Sequence, residues 1–214
     1  MKKLIPLFLV LALALSACNA NVKVSHGDYK DGRYTSKTAN FSCDFGTVLE
    51  GDSPFTLEDD EDQNGAYGAM SLLFDFGTRE TVDYVRISAL LPENQALFAN
   101  PQTRPDALRV MANLLIQSLA SQGPAPTVLE DYYMSDRAMH VLVLDVPQGS
   151  FQSVQETNTR LDASVAYYIL ADDEWVYYVG YMMSDSPLFS SADVNVPALL
   201  QGVEDLFNKC SFGL

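Results

Sequence analysis

The sequence contains few of the residues on which catalytic and metal sites depend. It has two histidines, three cysteines and one tryptophan in 214 residues. It also lacks the Gly-x-Ser-x-Gly, His-Glu-x-x-His, Walker and Gly-x-Gly-x-x-Gly motifs, which supply a nucleophile, a zinc site or a phosphate cradle. We therefore expect a protein that is not an enzyme and has no cofactor, and we keep a hydrolase only as a third hypothesis.

Basic residues are scarce as well. Lysine and arginine total 13 against 28 aspartates and glutamates, which gives a formal net charge of −15. Nucleic acid and the surface of an anionic membrane would both repel such a chain, so neither is expected as a partner. Because 48% of the residues are hydrophobic, a sizeable core is expected, and the acidic exterior favours a cation or a basic partner.

Long hydrophobic runs are absent after the first residues. Two lysines precede the apolar segment 4–15, which is too short to span a membrane as a mature helix and is typical of an export signal. The segment ends in Leu15-Ser16-Ala17-Cys18, which resembles the bacterial lipobox. That resemblance implies cleavage before Cys18 and its modification with diacylglycerol and a fatty acid such as palmitate. A plain secretory signal is the alternative.

The lipobox resemblance implies a location and a division of the chain. Two or more acyl chains hold a protein stably at a membrane, so we expect a lipid-anchored protein of the bacterial cell envelope. Asn19 stands where inner-membrane lipoproteins favour Asp, which implies the outer membrane, facing the periplasm, in a Gram-negative organism. We predict a signal peptide over 1–17, a lipidated flexible tether over 18–33 and a single domain over 34–214.

Two cysteines follow Cys18, namely Cys43 and Cys210. An exported compartment is oxidising, and an even pair of cysteines there favours a disulfide, which would close nearly the whole domain. Two unpaired, buried thiols are the alternative. No Cys-x-x-Cys spacing is present, which argues against a catalytic redox role.

Hydrophobic periodicity predicts the order β-β-β-α-β-β-β-β-α. This order favours an α+β domain with a largely antiparallel sheet of about six to seven strands and two amphipathic helices, on one face or on both. The segment 46–68 is expected to be an irregular loop. The predicted strands are 34–45, 70–76, 82–91, 128–134, 139–146, 163–170 and 175–182. The predicted helices run from Thr103 to Gly123 and over 196–210, the second with Asp193 or Asn195 as its cap.

The element order and both ends of the domain carry a second resemblance. The domain opens with YTS at 34–36 and NFS at 40–42, and its closing helix ends in DLFNKCSF at 205–212. Together with the long loop after the first strand, these features are similar to the PsbP-like/DcrB-like family. That resemblance implies an αβ sandwich and a non-catalytic accessory or binding role.

The segment 60–65, DEDQNG, reproduces the opening of a calcium-binding loop, in which alternate side chains supply oxygen ligands. An EF-hand also needs a bidentate carboxylate six residues after the glycine, and that position is Ser71. The EF-hand is therefore excluded. A different Ca²⁺ site on Asp60, Asp62 and Asn64 stays open, beside the alternative of a solvated acidic loop.

Aromatic residues are concentrated on three strands expected to be neighbours. Because side chains alternate between the faces of a strand, one set is expected to point outward. This set, Tyr133, Tyr168, Tyr178 and Trp175, is a candidate binding face for a sugar, a peptide or a partner protein. Cross-strand packing beneath a helix is the alternative, and a sheet covered on both faces would bury both sets.

His140 lies within the apolar strand 139–146, which favours a structural histidine, either hydrogen-bonded or exposed at an edge, over a catalytic one. These observations predict an envelope lipoprotein that acts as a non-enzymatic accessory or protein-binding module for an envelope partner. The alternative function is a small-ligand-binding lipoprotein, with a cation at the acidic loop or a saccharide on the tyrosine face.

Overall fold

The computed structural model describes residues 27–37, 39–46, 55–59, 69–74, 81–90, 92–147, 163–184 and 194–213. Cys18 and the proposed calcium ligands Asp60, Asp62 and Asn64 lie outside these residues, so lipidation and calcium binding stay predictions. The strands are β1 Asp28–Lys30, β2 Arg33–Thr35, β3 Phe41–Asp44, β4 Phe55–Asp59, β5 Ala69–Phe74, β6 Thr81–Ala89, β7 Thr127–Met134, β8 Met139–Val146, β9 Ala163–Ala171, β10 Trp175–Ser184 and β11 Cys210–Phe212. The helices are α1 Pro92–Ala99, α2 Arg104–Gln122 and α3 Val196–Lys209.

The predicted α+β class is confirmed, although the strands form two sheets. Among the described residues, one sheet has seven strands in the order β4-β5-β6-β10-β9-β8-β7, and the other has four in the order β1-β2-β3-β11. All their pairings are antiparallel. The seven-stranded sheet matches the predicted size, whereas the four-stranded sheet and the short helix α1 were not predicted.

The ordered domain begins earlier than the boundary predicted at residue 34. Strands β1 and β2 form a hairpin whose two loop residues, Asp31 and Gly32, have φ angles of 53° and 81°. Positive φ at both positions is the hairpin geometry that an Asp-Gly pair favours. The tether predicted over 18–33 is therefore wrong at its end, since 28–33 already belong to the four-stranded sheet.

Three other predicted boundaries are wrong. The strand predicted over 34–45 is two strands, because the chain turns between β2 and β3. Strand β4 lies within the segment 46–68, which was predicted to be irregular. The last helix ends at Lys209, and Cys210 starts β11 because it pairs with Cys43 of β3.

The seven-stranded sheet is covered on both faces, which selects one of the two predicted arrangements. All nine residues of β9 are buried, as expected of a strand with a packed layer on either side. On one face, the core contains Leu199, Val203 and Leu206 of α3 together with residues of the four-stranded sheet. On the other face, it contains Phe98 of α1 and Leu108 of α2.

The predicted disulfide joins β3 to β11. Cys43 and Cys210 are opposite each other in the strand register, and their sulfur atoms lie 2.03 Å apart. The helix before Cys210 starts at Asn195, whose side-chain oxygen accepts a hydrogen bond from the Ala198 amide at 3.1 Å, so this predicted cap is confirmed. The disulfide therefore fixes the end of α3 to the four-stranded sheet.

Candidate functional site

The predicted tyrosine binding face does not form. Tyr168, Trp175 and Tyr178 are only 4%, 5% and 7% exposed, and they lie in two different cores. Tyr168 and Trp175 face the α3 side of the sheet, whereas Tyr178 faces the α2 side. Tyr133 is half-buried on the α2 side. The prediction is wrong because helices cover both faces, so these rings pack within the protein.

The hydroxyl of Tyr168 has a structural partner. It donates to Oε2 of Glu204 at 3.0 Å, and Nη1 of Arg137 donates to the same oxygen at 2.6 Å. Asn208 donates to the other carboxylate oxygen at 3.1 Å. The bond from Arg137 lowers the pKa of the Glu204 carboxyl, while burial raises the pKa of Tyr168. This network connects the β7–β8 turn to α3.

The carboxylate of Asp172 shapes the β9–β10 turn. Its Oδ1 accepts hydrogen bonds from the amides of Glu174 and Trp175 at 2.8 and 2.7 Å. Its other oxygen accepts a hydrogen bond from the Tyr177 hydroxyl. Burial, together with this bond to a carboxylate, raises the pKa of Tyr177. These groups are occupied within the turn.

Strand β7 is an edge of the seven-stranded sheet. Among the described residues it pairs only with β8, and the register shifts between Val128 and Glu130. From Glu130 to Met134 the pairing is regular. Val128 and Tyr132 are 42% and 40% exposed, and they are the exposed large hydrophobic residues of the described chain. The edge therefore presents main-chain groups and apolar side chains to the solvent.

A cleft of about 340 Å³ lies beside this edge, between the first turns of α2 and strands β7 and β8. The helix contributes one wall and the two strands contribute the other. The lining residues are Pro105, Asp106, Arg109, Asp131, Tyr132, Tyr133 and His140.

The strand register brings Asp131 to His140. Tyr133 is opposite His140 and Asp131 is opposite Leu142, so these four residues share one face of the hairpin. Leu142 packs in the core beneath α2, which identifies this face as the α2 side. Nε2 of His140 and Oδ1 of Asp131 lie 2.6 Å apart, in a diagonal contact across the two strands.

The histidine is buried although its partner is exposed. His140 is 2% exposed, and burial is the main cause that lowers its pKa. The hydrogen bond to Asp131 acts in the opposite direction, and the nearby Arg109 cation lowers the pKa further. Asp131 is an acceptor, so Nε2 carries the proton and Nδ1 of the neutral ring is an acceptor. Nδ1 is buried, and no described residue forms a hydrogen bond with it.

The helix wall of the cleft carries an ion pair. Nη2 of Arg109 donates to Oδ1 of Asp106 at 2.9 Å, and both side chains are exposed. Such surface pairs contribute little to stability. The two groups therefore remain accessible to a molecule that enters the cleft.

The cleft supplies two carboxylates, one guanidinium, a buried ring nitrogen and two tyrosines, an arrangement suited to binding a polar group. Sequence analysis predicted that His140 is hydrogen-bonded or exposed at an edge, of which the first is confirmed, but it missed Asp106, Arg109 and Asp131. The spacing of Asp131 and Tyr133 before a tight turn was a usable signal, since it places Asp131 on the face of His140. No pattern in the sequence indicated that α2 would place Asp106 and Arg109 beside these residues.

Two further findings concern the described parts of the chain. No helix there is long and apolar enough to cross a membrane. No group of three or more histidine, cysteine, aspartate or glutamate side chains there is placed to hold a metal ion. A scan against protein-family models and a search of curated proteins give no match to this chain.

Proposed function

We propose that this chain is an envelope lipoprotein, anchored through Cys18, that binds a protein partner along β7. An extended segment of the partner would pair with this edge and add a strand to the sheet. The observation that carries the proposal is the accessible edge of β7, with a regular five-residue segment from Glu130 to Met134. In this mode of recognition, main-chain hydrogen bonds supply affinity and neighbouring pockets supply specificity.

The shape of β7 supports this assignment. Edge strands commonly avoid unwanted pairing by being short, by carrying charge or by bulging. In β7 the irregularity is confined to Val128–Glu130, and the following five residues keep a regular ladder. The exposed ring of Tyr132 lies within that regular segment, and tyrosine is enriched in protein interfaces.

The edges of the four-stranded sheet are weaker candidates. Its outer strands, β1 and β11, have three residues each, whereas β7 has eight. A three-residue strand offers few main-chain groups to a partner. Among these edges, β7 therefore provides the longest surface for strand addition.

The proposed anchor would present this edge to other proteins of the envelope. The lipobox at 15–18 is the basis for that part of the proposal, and the net charge of −15 favours a partner segment with basic residues. The accessory role implied by the resemblance to PsbP-like proteins agrees with binding rather than turnover.

Photo-cross-linking in intact cells tests the proposal. A photoreactive amino acid replaces Tyr132 in the full chain, and a matched variant carries it at Glu174, which is exposed in the β9–β10 turn. We expect one discrete adduct from position 132 and none from position 174. Val128→Lys should reduce the adduct because it adds charge to the edge.

Two results would contradict the proposal. One is equal cross-linking from both positions, which indicates non-specific collision. The other is the absence of any adduct at position 132 while the protein is present at the membrane in normal amount.

A further inference from the structure

His140, which lines the cleft beside β7, has a buried acceptor without a described donor. His140 directs Nε2 to Asp131, and its Nδ1 lies buried with no described hydrogen-bond partner. A buried polar atom left without a partner destabilises a protein, because it has lost its hydrogen bonds to water. A ligand that brings a hydrogen-bond donor to Nδ1 would remove that destabilisation.

The charges of the lining indicate which donor fits. Asp106 is neutralised by its pair with Arg109, and among the described residues Asp131 shares its carboxylate with the neutral His140. The described lining therefore has one negative charge in excess. A carboxylate ligand would be repelled by Asp131, whereas a cationic donor would gain a charge-assisted hydrogen bond.

The form of the cation follows from the geometry of its acceptors. A primary ammonium has three hydrogens around one compact charge, whereas a guanidinium presents a rigid planar fork. The Asp131 carboxylate and Nδ1 of His140 are separate acceptors on two side chains, which suits independent donors. Tyr133 lines the cleft on the same face as Asp131 and His140, and tyrosine pairs well with the methylene stem of lysine and with its charge.

The position of the cleft connects it to the edge strand. Neighbouring strands lie about 5 Å apart, and side chains directly opposite each other share a face. A lysine on an added strand, opposite Asp131 or Tyr133, would therefore extend over the cleft.

We infer that this cleft binds a primary ammonium group, supplied by a lysine of the partner segment that pairs with β7. The inference rests on the proposed function for its source of lysine. It adds the specificity of that function, because it states which side chain the added strand must carry and which residues recognise it.

Nuclear magnetic resonance on the full chain in detergent micelles tests the inference. His26→Ala leaves His140 as the single histidine, so its ring nitrogens are observed without overlap. The probes are the peptide acetyl-TVKVT-amide and two matched peptides with glutamate or norleucine in place of lysine. Butylammonium and butanol serve as small probes that cannot pair with β7.

We expect the lysine peptide to shift both the backbone amides of β7 and the Nδ1 signal of His140. Its affinity should exceed that of the other two peptides by about tenfold, the effect of one charge-assisted hydrogen bond. Butylammonium should shift Nδ1 at higher concentration, and butanol should not.

The outcomes separate this inference from the proposed function. If all three peptides shift the β7 amides with equal affinity and Nδ1 does not respond to any cation, edge pairing stands and the inference is overturned. If no peptide shifts the β7 amides but butylammonium shifts Nδ1, the ammonium site stands and edge pairing fails. If neither signal responds to any probe, both are overturned.

Matched variants locate the effect. Asp131→Asn removes the charge while retaining an acceptor for His140, and it should reduce the preference for the lysine peptide to within about twofold. The norleucine peptide should bind the Asp131→Asn variant and the wild-type protein with equal affinity. Glu130→Gln makes the same charge change on the opposite face of β7 and should retain the preference. An equal loss in both variants, or none in Asp131→Asn, would overturn the inference.

Discussion

The two faces of the seven-stranded sheet are covered in different ways. On one face, α3 and the four-stranded sheet are joined by the Cys43–Cys210 disulfide, and the Glu204 network fixes α3 to the β7–β8 turn. On the other face, α1 and α2 pack without a described disulfide, and a cleft lies between α2 and β7.

This difference suggests a division of roles, in which the α3 side of the sheet stabilises the fold and the α2 side recognises a partner. Strands β8, β9 and β10 supply alternate side chains to both cores. The face covered by α3, which we call the closed face, is held by the Cys43–Cys210 disulfide and by the hydrogen-bonded Glu204 network. The face covered by α1 and α2, which we call the open face, has His140 and Asp131 at the border of its core. His140 is buried there, whereas Asp131 is accessible to a partner.

The largest expected effect on the free energy of unfolding comes from removing the Cys43–Cys210 disulfide. Replacing both Cys43 and Cys210 by alanine releases a link across 167 residues. In the chain-entropy model this change lowers the free energy of unfolding by about 4–5 kcal/mol. Urea unfolding of the variant and of reduced wild type measures the loss, which should agree between the two. A loss below about 1 kcal/mol would show that the disulfide does not stabilise the closed face.

A pair of core substitutions compares the two covers directly. Leu108 of α2 and Leu199 of α3 are both buried, so alanine at either position should cost about 3 kcal/mol. Only Leu108→Ala should also weaken binding of the lysine peptide, because α2 forms one wall of the cleft. Unfolding by urea and peptide titration provide the two readouts. Equal effects of both variants on peptide binding would contradict the difference between the faces.

A buried carboxyl on the closed face provides a test by pH. Burial raises the pKa of Asp83 from 3.8 to about 6, although the Lys209 cation opposes the shift. The contribution of Asp83 to the free energy of unfolding is therefore highest below pH 3.8, the pKa of Asp83 in the unfolded chain. It falls as the pH rises through about 6, the pKa in the folded protein.

Asp83→Asn removes this loss. It should therefore stabilise the protein by about 2 kcal/mol near pH 8 and have little effect near pH 4. Chemical unfolding at both pH values checks the sign. Destabilisation near pH 8 would show that the Asp83 carboxylate makes a favourable interaction on this face.

The smallest effect concerns the open face. Burial lowers the pKa of His140, opposed by Asp131 and reinforced by Arg109. The neutral histidine therefore contributes stability above its unfolded pKa of about 6.5, and this contribution is lost as the pH falls below that value. His140→Gln should remove this pH dependence, so that the free energy of unfolding falls less steeply than in wild type as the pH drops below about 6.5. An unchanged pH profile would contradict the buried, neutral state of the ring.

Much of the fold follows from local patterns. Strand β8 coincides with its prediction over 139–146, and α3 was recognised from its helical repeat and Asn195 cap. The disulfide was predicted because an exported compartment is oxidising and because two cysteines, Cys43 and Cys210, follow Cys18. The missed strands are short: β1 and β11 have three residues each and β4 has five, and each is held by pairing with a neighbouring strand. Helix α1 has only Asn94 and Phe98 buried, so its sequence shows no helical period.

The candidate site was less predictable because it depends on packing. Whether Tyr168 and Tyr178 face the solvent depends on the helix layer above each face, and no local pattern contains that information. The contact between His140 and Asp131 follows from the hairpin register, whereas Arg109 reaches the cleft only because α2 packs on that face.

Cross-linking from position 132 in intact cells, with mass spectrometry of the adduct, tests the central claim most directly. The account predicts one partner, joined through a single extended segment with a lysine next to the cross-linked position, because Asp131 and Tyr133, which face the cleft, lie on either side of position 132. Cross-links spread over a folded surface of the partner, or adducts that persist in Val128→Lys at the wild-type level, would contradict it.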